Sequence, residues 1–168
     1  MKTLVLGLGN PILTDDGVGI HAVRALAARC RLDGVTFAEA SVGGLRLLDT
    51  LAGYDRVVLV DAIQTPDGEP GTIHRLQPGD LRTSCHSGST HDLSLAGALA
   101  LGRSLGMALP TDDEIVIVAV KVEDVWTFGE TCTPAVAVAV PQAVQAIFDA
   151  IGSRSKEVKD VSGHSRAD

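Results

Sequence analysis

Three positions far apart in the sequence carry side chains that could bind a metal ion together. Asp15 and Asp16 follow the apolar run TLVLGL, and Asp61 follows the apolar run RVVLV. His91 comes directly after the polar segment SGST. Carboxylate oxygens and an imidazole nitrogen are a familiar donor set for a divalent transition metal. In an open parallel sheet, sites form beyond the carboxyl ends of the strands, so these residues would meet at one edge.

Each of these residues also has a purely structural explanation. An acid at the start of a helix is most often a cap that complements the helix dipole, and a histidine in a first helical turn is usually solvated. Asp61 is harder to explain this way, because a charge directly after four strongly apolar positions is costly to leave half buried and unpaired. The coincidence of all three puts a metal site on an equal footing with the structural explanation. It leaves open whether Asp15 or Asp16 contributes.

The segments that must position these residues alternate between strands and helices. Apolar runs predict strands, and spacing of three and four residues predicts helices, one of which contains Pro141 and is expected to break or kink there. The predicted strands are 3–8, 35–40, 56–61, 71–76 and 114–122, and the predicted helices are 17–30, 45–53, 91–106 and 134–151. The alternation predicts an α/β fold, a three-layer sandwich with a mostly parallel twisted sheet of about five strands and helices on both faces.

Composition and charge exclude several classes of function. The length of 168 residues fits a single domain over 1–152, and 153–168 lacks apolar periodicity and is predicted to be a disordered tail. The net charge of −7 argues against a nucleic acid partner. No segment approaches the roughly 20 apolar residues that a membrane helix needs, so no membrane association is expected. Three cysteines without a CxxC pattern indicate reduced thiols and a cytoplasmic location.

Other catalytic motifs are weaker. GLGNPI fails the dinucleotide fingerprint GxGxxG, because Ile12 occupies the third glycine position. The sequence has no GxSxG, no HExxH and no P-loop lysine. Cys85 and His86 are adjacent, but sequence neighbours on a strand or loop tend to point apart, so a thiol protease dyad is not expected.

Three stretches taken together resemble the maturation endopeptidases of nickel–iron hydrogenases. They are LVLGLGNPILTDDGVG near the N-terminus, VDAI at 60–63 and STHDLSLAGAL at 89–99, with TPAV at 133–136 in the expected order. The resemblance covers about 1–150. It implies an endopeptidase that removes a short C-terminal peptide from the large-subunit precursor of a hydrogenase after nickel has been inserted.

The resemblance also implies roles for particular residues. Asp16, Asp61 and His91 match the family's metal-binding positions and are the expected catalytic and metal-binding residues. Gly43 and Gly44 match a glycine turn expected to bind substrate. The nickel would come with the substrate, although other divalent cations could occupy the site. Asp15 is then expected to be the more structural of the paired acids, acting as a cap.

Two other functions remain as alternatives. One is a nickel-binding maturation chaperone that does not cleave its partner. The other is a peptidyl-tRNA hydrolase-like esterase, because GLGNP also resembles that family near its N-terminus. That family continues into a threonine-arginine-histidine-asparagine run, where this sequence has TDDGVG, and the acidic body argues against a tRNA substrate. A monomer is expected, because the enzyme must dock a large partner transiently.

Overall fold

The computed structural model describes residues 1–83 and 92–153, with side chains throughout these ranges except at 81–83 and 92–94. The five strands are β1 (Thr3–Leu8), β2 (Val35–Ala40), β3 (Arg56–Ile63), β4 (Ile73–Leu76) and β5 (Ile115–Lys121). The helices are α1 (Val18–Ala27), α2 (Leu45–Leu51), α3 (Pro78–Thr83), α4 (Asp92–Ser104) and α5 (Pro134–Gly152). Short 3-10 turns cover Thr14–Gly17 and Asp112–Glu114.

The five strands form one sheet in the order β2-β1-β3-β5-β4. All neighbouring pairs are parallel except β4 with β5, which is antiparallel. The chain steps from β1 to β2 on one side and then crosses to β3 on the other side of β1. The carboxyl ends of β1 and β3 therefore flank a topological switch point, the place where open α/β sheets form their binding crevices.

The side chains of the strands alternate between two helical layers, which confirms the predicted three-layer sandwich. Valines of β1, β3 and β5 pack with α1 and α5 on one face, and leucines and isoleucines of the same strands pack with α2 and α4 on the other. Strand residues point alternately to opposite faces, so near-continuous apolar runs are what a sheet covered on both sides requires.

Several predicted boundaries differ from the structure. β3 continues two residues past Asp61, because Ala62 and Ile63 still pair with β5. Neither Asp15 nor Asp16 caps α1 with its side chain; the helix begins at Val18 after the 3-10 turn. Both acids belong to that turn, which takes up the four residues between the strand loop and the helix.

Two helices also differ from the sequence-based expectation. Helix α3 was not predicted; Pro78 is its first residue, and Asp80 Oδ2 accepts the N–H of Gln77 at 2.7 Å, an arrangement that favours a helix start. Helix α5 runs through Pro141 without interruption, so the predicted break is wrong. The lost backbone hydrogen bond is offset by the packing of α5 against α1 and the sheet.

Helix α5 bears on the expectation about membrane segments. Its 19 residues are long and apolar enough to cross a membrane by length and composition alone. One side of it is buried against α1 and the sheet, through residues that include Val136, Val144 and Ile147. This is also the pattern of a core helix in a layered α/β protein.

Helix α1 lies unusually close to the strands that bound the switch point. A Cβ at Gly19 would lie 2.2 Å from the carbonyl oxygen of Val60 and 2.7 Å from that of Leu8. Only glycine lets the backbone of α1 approach the ends of β1 and β3 this closely. The position of α1, and of the turn that leads into it, therefore depends on this residue.

Gly19→Ala should lower the free energy of unfolding by about 2 kcal/mol or more, because the added methyl group overlaps two backbone carbonyls. The matched control is Gly97→Ala in α4, where a Cβ meets nothing within 4 Å. The control should be neutral or stabilising by up to about 1 kcal/mol, since alanine favours a helix over glycine. Denaturant unfolding of both variants measures the difference, and equal destabilisation would contradict the close approach.

Candidate functional site

A cleft opens at the switch point and gathers loops from three strands. Its volume is about 260 Å³, and Asp16 and Asp61 both line it. The other lining residues are Leu8, Gly9, Asn10, Leu13, Ser41, Val42, Gly43, Gly44, Leu47 and Leu95. Two carboxylates that are 45 positions apart in sequence therefore face one concave space of mixed polar and apolar lining.

The turn after β1 fixes Asp16 at the mouth of this cleft. Gly9 has φ +125°, and a Cβ on it would lie 1.9 Å from the carbonyl oxygen of Asp16. The N–H of Asn10 donates to Asp16 Oδ2 at 2.7 Å. The glycine thus makes room for the backbone of Asp16, and the Asp16 carboxylate is held by a backbone donor two residues after β1.

Asp15 makes contacts on the other side of the turn. The preceding residue, Thr14, has φ +49°, which is unfavourable for a β-branched residue. Two hydrogen bonds hold it there: its N–H donates to Gly129 O at 2.9 Å and its Oγ1 donates to Thr127 O at 2.5 Å. Asp15 is fully buried, whereas Asp16 is half-buried at the cleft.

The buried Asp15 carboxylate joins the β1 turn to the segment between β5 and α5. Oδ1 accepts the N–H of Thr133 at 2.7 Å, and Oδ2 accepts the N–H groups of Asp124 at 3.1 Å and Glu123 at 3.3 Å. The hydroxyl of Thr133 donates to both oxygens at 3.0 Å. Thr133 directly precedes α5, so the positive end of that helix dipole also stabilises the buried charge.

Asp61 approaches the cleft from β3. It is half-buried, and its Oδ1 accepts the N–H of Ala62 at 2.8 Å. In the sheet register it lies opposite Ala119 of β5, one position beyond the pair Gly7 and Val60 that joins β1 to β3. The register therefore brings the end of β1 and Asp61 to the same level of the sheet, where the cleft opens.

The loop after β2 forms a third wall. Gly43 and Gly44 line the cleft, and Gly44 has φ +65° immediately before α2. Both glycines present backbone rather than side chain to the cleft. They line the same cleft as Asp16 and Asp61, and their binding of substrate stays a prediction.

Comparisons with known proteins agree with this architecture. A family model described as hydrogenase maturation protease matches residues 20–150. The chain belongs to this family. It is 35% identical over 108 residues to the hydrogenase 2 maturation protease of Escherichia coli, in a match that spans 63% of this chain and 66% of that protein. It is 26% identical over 159 residues to the coenzyme F420 hydrogenase subunit delta of Methanothermobacter thermautotrophicus, covering 90% and 95% of the two chains.

Solved structures of maturation proteases have the same fold. The hydrogenase maturating endopeptidase HybD of Escherichia coli superimposes with a TM-score of 0.77 at 30% identity, over 92% of this chain and 94% of that one. The maturation protease HybD of Thermococcus kodakarensis gives a TM-score of 0.66 at 24% identity, over 89% and 98%. The first match covers nearly the whole of both chains, so this chain and its relative share the same fold over most of their length.

The third predicted site residue of this maturation protease, His91, lies outside the described residues, as do Cys85, His86 and the predicted tail after Ser153. The described part of the chain contains no group of three His, Cys, Asp or Glu side chains that could hold a metal ion. The described part of α4 covers Asp92–Ser104, and Leu95 of this helix lines the cleft.

The described cysteines of this maturation protease are not suited to act as nucleophiles. Burial and, to a smaller extent, the nearby Asp15 carboxylate together raise the pKa of the Cys132 thiol to about 11. At neutral pH this thiol is protonated and unreactive. Cys30 donates to Leu26 O at 3.6 Å beyond the end of α1 and does not line the cleft.

Sequence reasoning missed most of the residues that hold the site together. Gly9 and Asn10 position Asp16, and the N–H groups of Thr133 and Asp124 donate to the Asp15 carboxylate. The sequence does indicate the helix start at Thr133, because a threonine directly before a proline is typical of the beginning of a helix. No local pattern pairs that helix start with an acid 118 positions away.

Asp15→Asn should lower the free energy of unfolding by about 3 kcal/mol, because an amide cannot accept from donors that approach both oxygens. Asp16→Asn keeps an acceptor for Asn10 and should cost less than about 1 kcal/mol. Denaturant unfolding at neutral pH measures both values. A loss for Asp16→Asn as large as that for Asp15→Asn would contradict the different roles of the two acids.

Proposed function

We propose that this protein is an endopeptidase that removes a C-terminal peptide from the nickel-loaded large-subunit precursor of a nickel–iron hydrogenase. The observation that carries the proposal is the joint position of Asp16 and Asp61 in one cleft at the switch point, in a chain of the maturation protease family. One of these carboxylates comes from the turn after β1 and the other from β3.

The names of the relatives support this choice of substrate. One is a hydrogenase 2 maturation protease and another is a subunit of coenzyme F420 hydrogenase. Those names apply to the relatives themselves, and both names refer to a hydrogenase. A hydrogenase precursor is therefore the first substrate to test with this chain.

We assign recognition of the precursor's nickel to Asp16, Asp61 and His91. Carboxylate oxygens and imidazole nitrogen suit this ion, and the two carboxylates already line one cleft. Leu95 brings the first turns of α4 to the same cleft, which supports a place for His91 near it. The nickel arrives as part of the substrate, and another divalent cation could bind the same donors.

Amide hydrolysis needs a base for the attacking water and an acid for the leaving amine. One of the two cleft carboxylates would take the proton from water as oxygen attacks the scissile carbonyl, and return it to the nitrogen as the C–N bond breaks. The precursor's nickel, when bound, supplies positive charge that can polarise that carbonyl or acidify the water. Asp16 and Asp61 both line the cleft, and either can serve as this base.

The glycine wall of the cleft suits an extended peptide. Gly43 and Gly44 leave the backbone open to close approach by another chain. Leu13, Leu47 and Leu95 supply apolar contacts on other sides. We therefore propose that the C-terminal segment of the precursor lies between the glycine turn and the two carboxylates. The monomeric state and the cytoplasmic location remain predictions.

A nickel-binding chaperone is the second candidate, because the same donors could hold the ion without cleavage. The mass of the partner distinguishes the two functions. A protease shortens the precursor by a defined C-terminal peptide, whereas a chaperone leaves it intact. Intact-mass spectrometry of the precursor before and after incubation with this protein decides between them.

Asp16→Asn, Asp61→Asn and His91→Gln should each abolish the shortening of the nickel-loaded precursor, by at least about a hundredfold in rate. The free energy of unfolding should change by less than about 1 kcal/mol in each case. Intact-mass spectrometry measures the first quantity and denaturant unfolding the second.

The matched controls are Asp49→Asn on the exposed face of α2 and His74→Gln in β4, neither of which lines the cleft. Both should process the precursor at the rate of the unchanged protein. Full activity in any of these three variants would remove that residue from the proposed site. Loss of activity that simply follows loss of stability would favour a structural role.

A further inference from the structure

Two aromatic side chains of this protein are almost fully exposed on one loop. The chain has one Trp, one Tyr and three Phe, and its core is built from aliphatic residues. Phe37 and Tyr54 pack partly against that core. Trp126 and Phe128 are both 80% exposed, in the segment between β5 and α5. Exposed aromatic residues this close together are typical of protein interfaces.

The backbone beneath these two aromatic residues is held in place. Asp124 Oδ1 accepts the N–H groups of Trp126 at 3.0 Å and Thr127 at 2.9 Å, and these bonds lower the pKa of the Asp124 carboxyl. On the other side, the N–H of Gly129 donates to Ile12 O at 3.0 Å. A partner that binds here does not have to order the loop, which removes one of the usual costs of binding.

The same loop adjoins the cleft. Leu13 lines the cleft and also forms an isolated bridge with Gly129 of the loop. Ile12, 47% exposed, adds a third apolar side chain to this side of the cleft. The exposed aromatic residues therefore lie beside the cleft that contains Asp16. The folded body of a substrate would contact this surface while its C-terminal segment is bound in the cleft.

Charge indicates what kind of surface fits there. The exposed acids Glu123 and Glu130 flank the two aromatic residues, Asp16 and Asp61 line the adjoining cleft, and the chain as a whole has a net charge of −7. A second copy of this chain would bring like charges opposite each other, which costs binding energy. A partner that carries apolar side chains within a rim of Lys and Arg is complementary.

We propose that Trp126 and Phe128 dock into an apolar pocket with a basic rim on the folded surface of the hydrogenase large-subunit precursor. This inference rests on the proposed function and names the surface that holds the body of the substrate. Buried aromatic side chains at the centre of an interface contribute much of its binding energy. The docked loop lies next to the cleft and leaves the two carboxylates free to act on the C-terminal segment.

Trp126→Ala and Phe128→Ala should each raise the KM for the nickel-loaded precursor about tenfold and leave kcat within about twofold. The matched control is Phe148→Ala, another exposed aromatic, about 20 Å along α5 from its first residue. The control should leave both constants unchanged. An unchanged KM in both loop variants, or an equal rise in the control, would overturn the proposal.

Fluorine NMR gives a second readout that does not depend on cleavage. Trp126 is the only tryptophan of the chain, so protein labelled with 5-fluorotryptophan gives one resonance. Unlabelled precursor should shift and broaden it. A resonance that stays in place while the precursor is cleaved would overturn the docking surface and leave the proposed function standing.

A second pair of results distinguishes the docking surface from the proposed protease function. A resonance that shifts with a precursor that is never shortened would contradict the proposed protease function and support the docking surface. A resonance that shifts with the concentration of this protein alone, together with a dimer that Trp126→Ala abolishes in sedimentation, would assign the surface to self-association and overturn the proposal.

Discussion

The structure around the cleft depends on one buried carboxylate. Asp15 accepts hydrogen bonds from the start of α5 and from the segment after β5, and in this way ties the turn after β1 to chain more than 100 positions away. A buried charge is stable only when such donors surround it. In the same turn, hydrogen bonds to Gly129 O and Thr127 O hold Thr14 in an unfavourable conformation. Asp16, the residue after Asp15, lines the cleft.

This constraint links the site to the proposed docking loop. The turn that carries Asp16 and the loop that carries Trp126 and Phe128 are joined by the Asp15 carboxylate and by backbone hydrogen bonds. Both are therefore positioned by the packed β1, β5 and α5 rather than by a ligand. The cleft and the loop with Trp126 and Phe128 are therefore formed before a substrate binds. This suits an enzyme proposed to bind a large folded partner briefly.

The sequence predicts the layers of this fold well, because its strands are apolar runs and its helices have clear periodicity. It also brings the paired acids Asp15 and Asp16 to the same edge of the sheet as Asp61, since that inference needs only the order of elements and the rule for parallel sheets. The choice of Asp16 over Asp15 came from the resemblance, and β3 continues two residues past Asp61. It could not reveal that Gly9 makes room for Asp16, or that Asp15 pairs with Thr133, because both depend on tertiary contacts. The position of His91 stays a prediction, outside the described residues.

The central claim is that the cleft carboxylates recognise nickel carried by the substrate. The most direct test mixes the protein with two preparations of the same large-subunit precursor, one nickel-loaded and one nickel-free, and follows the intact mass of each. The account predicts that only the nickel-loaded precursor loses its C-terminal peptide. Cleavage of both preparations at the same rate would contradict it.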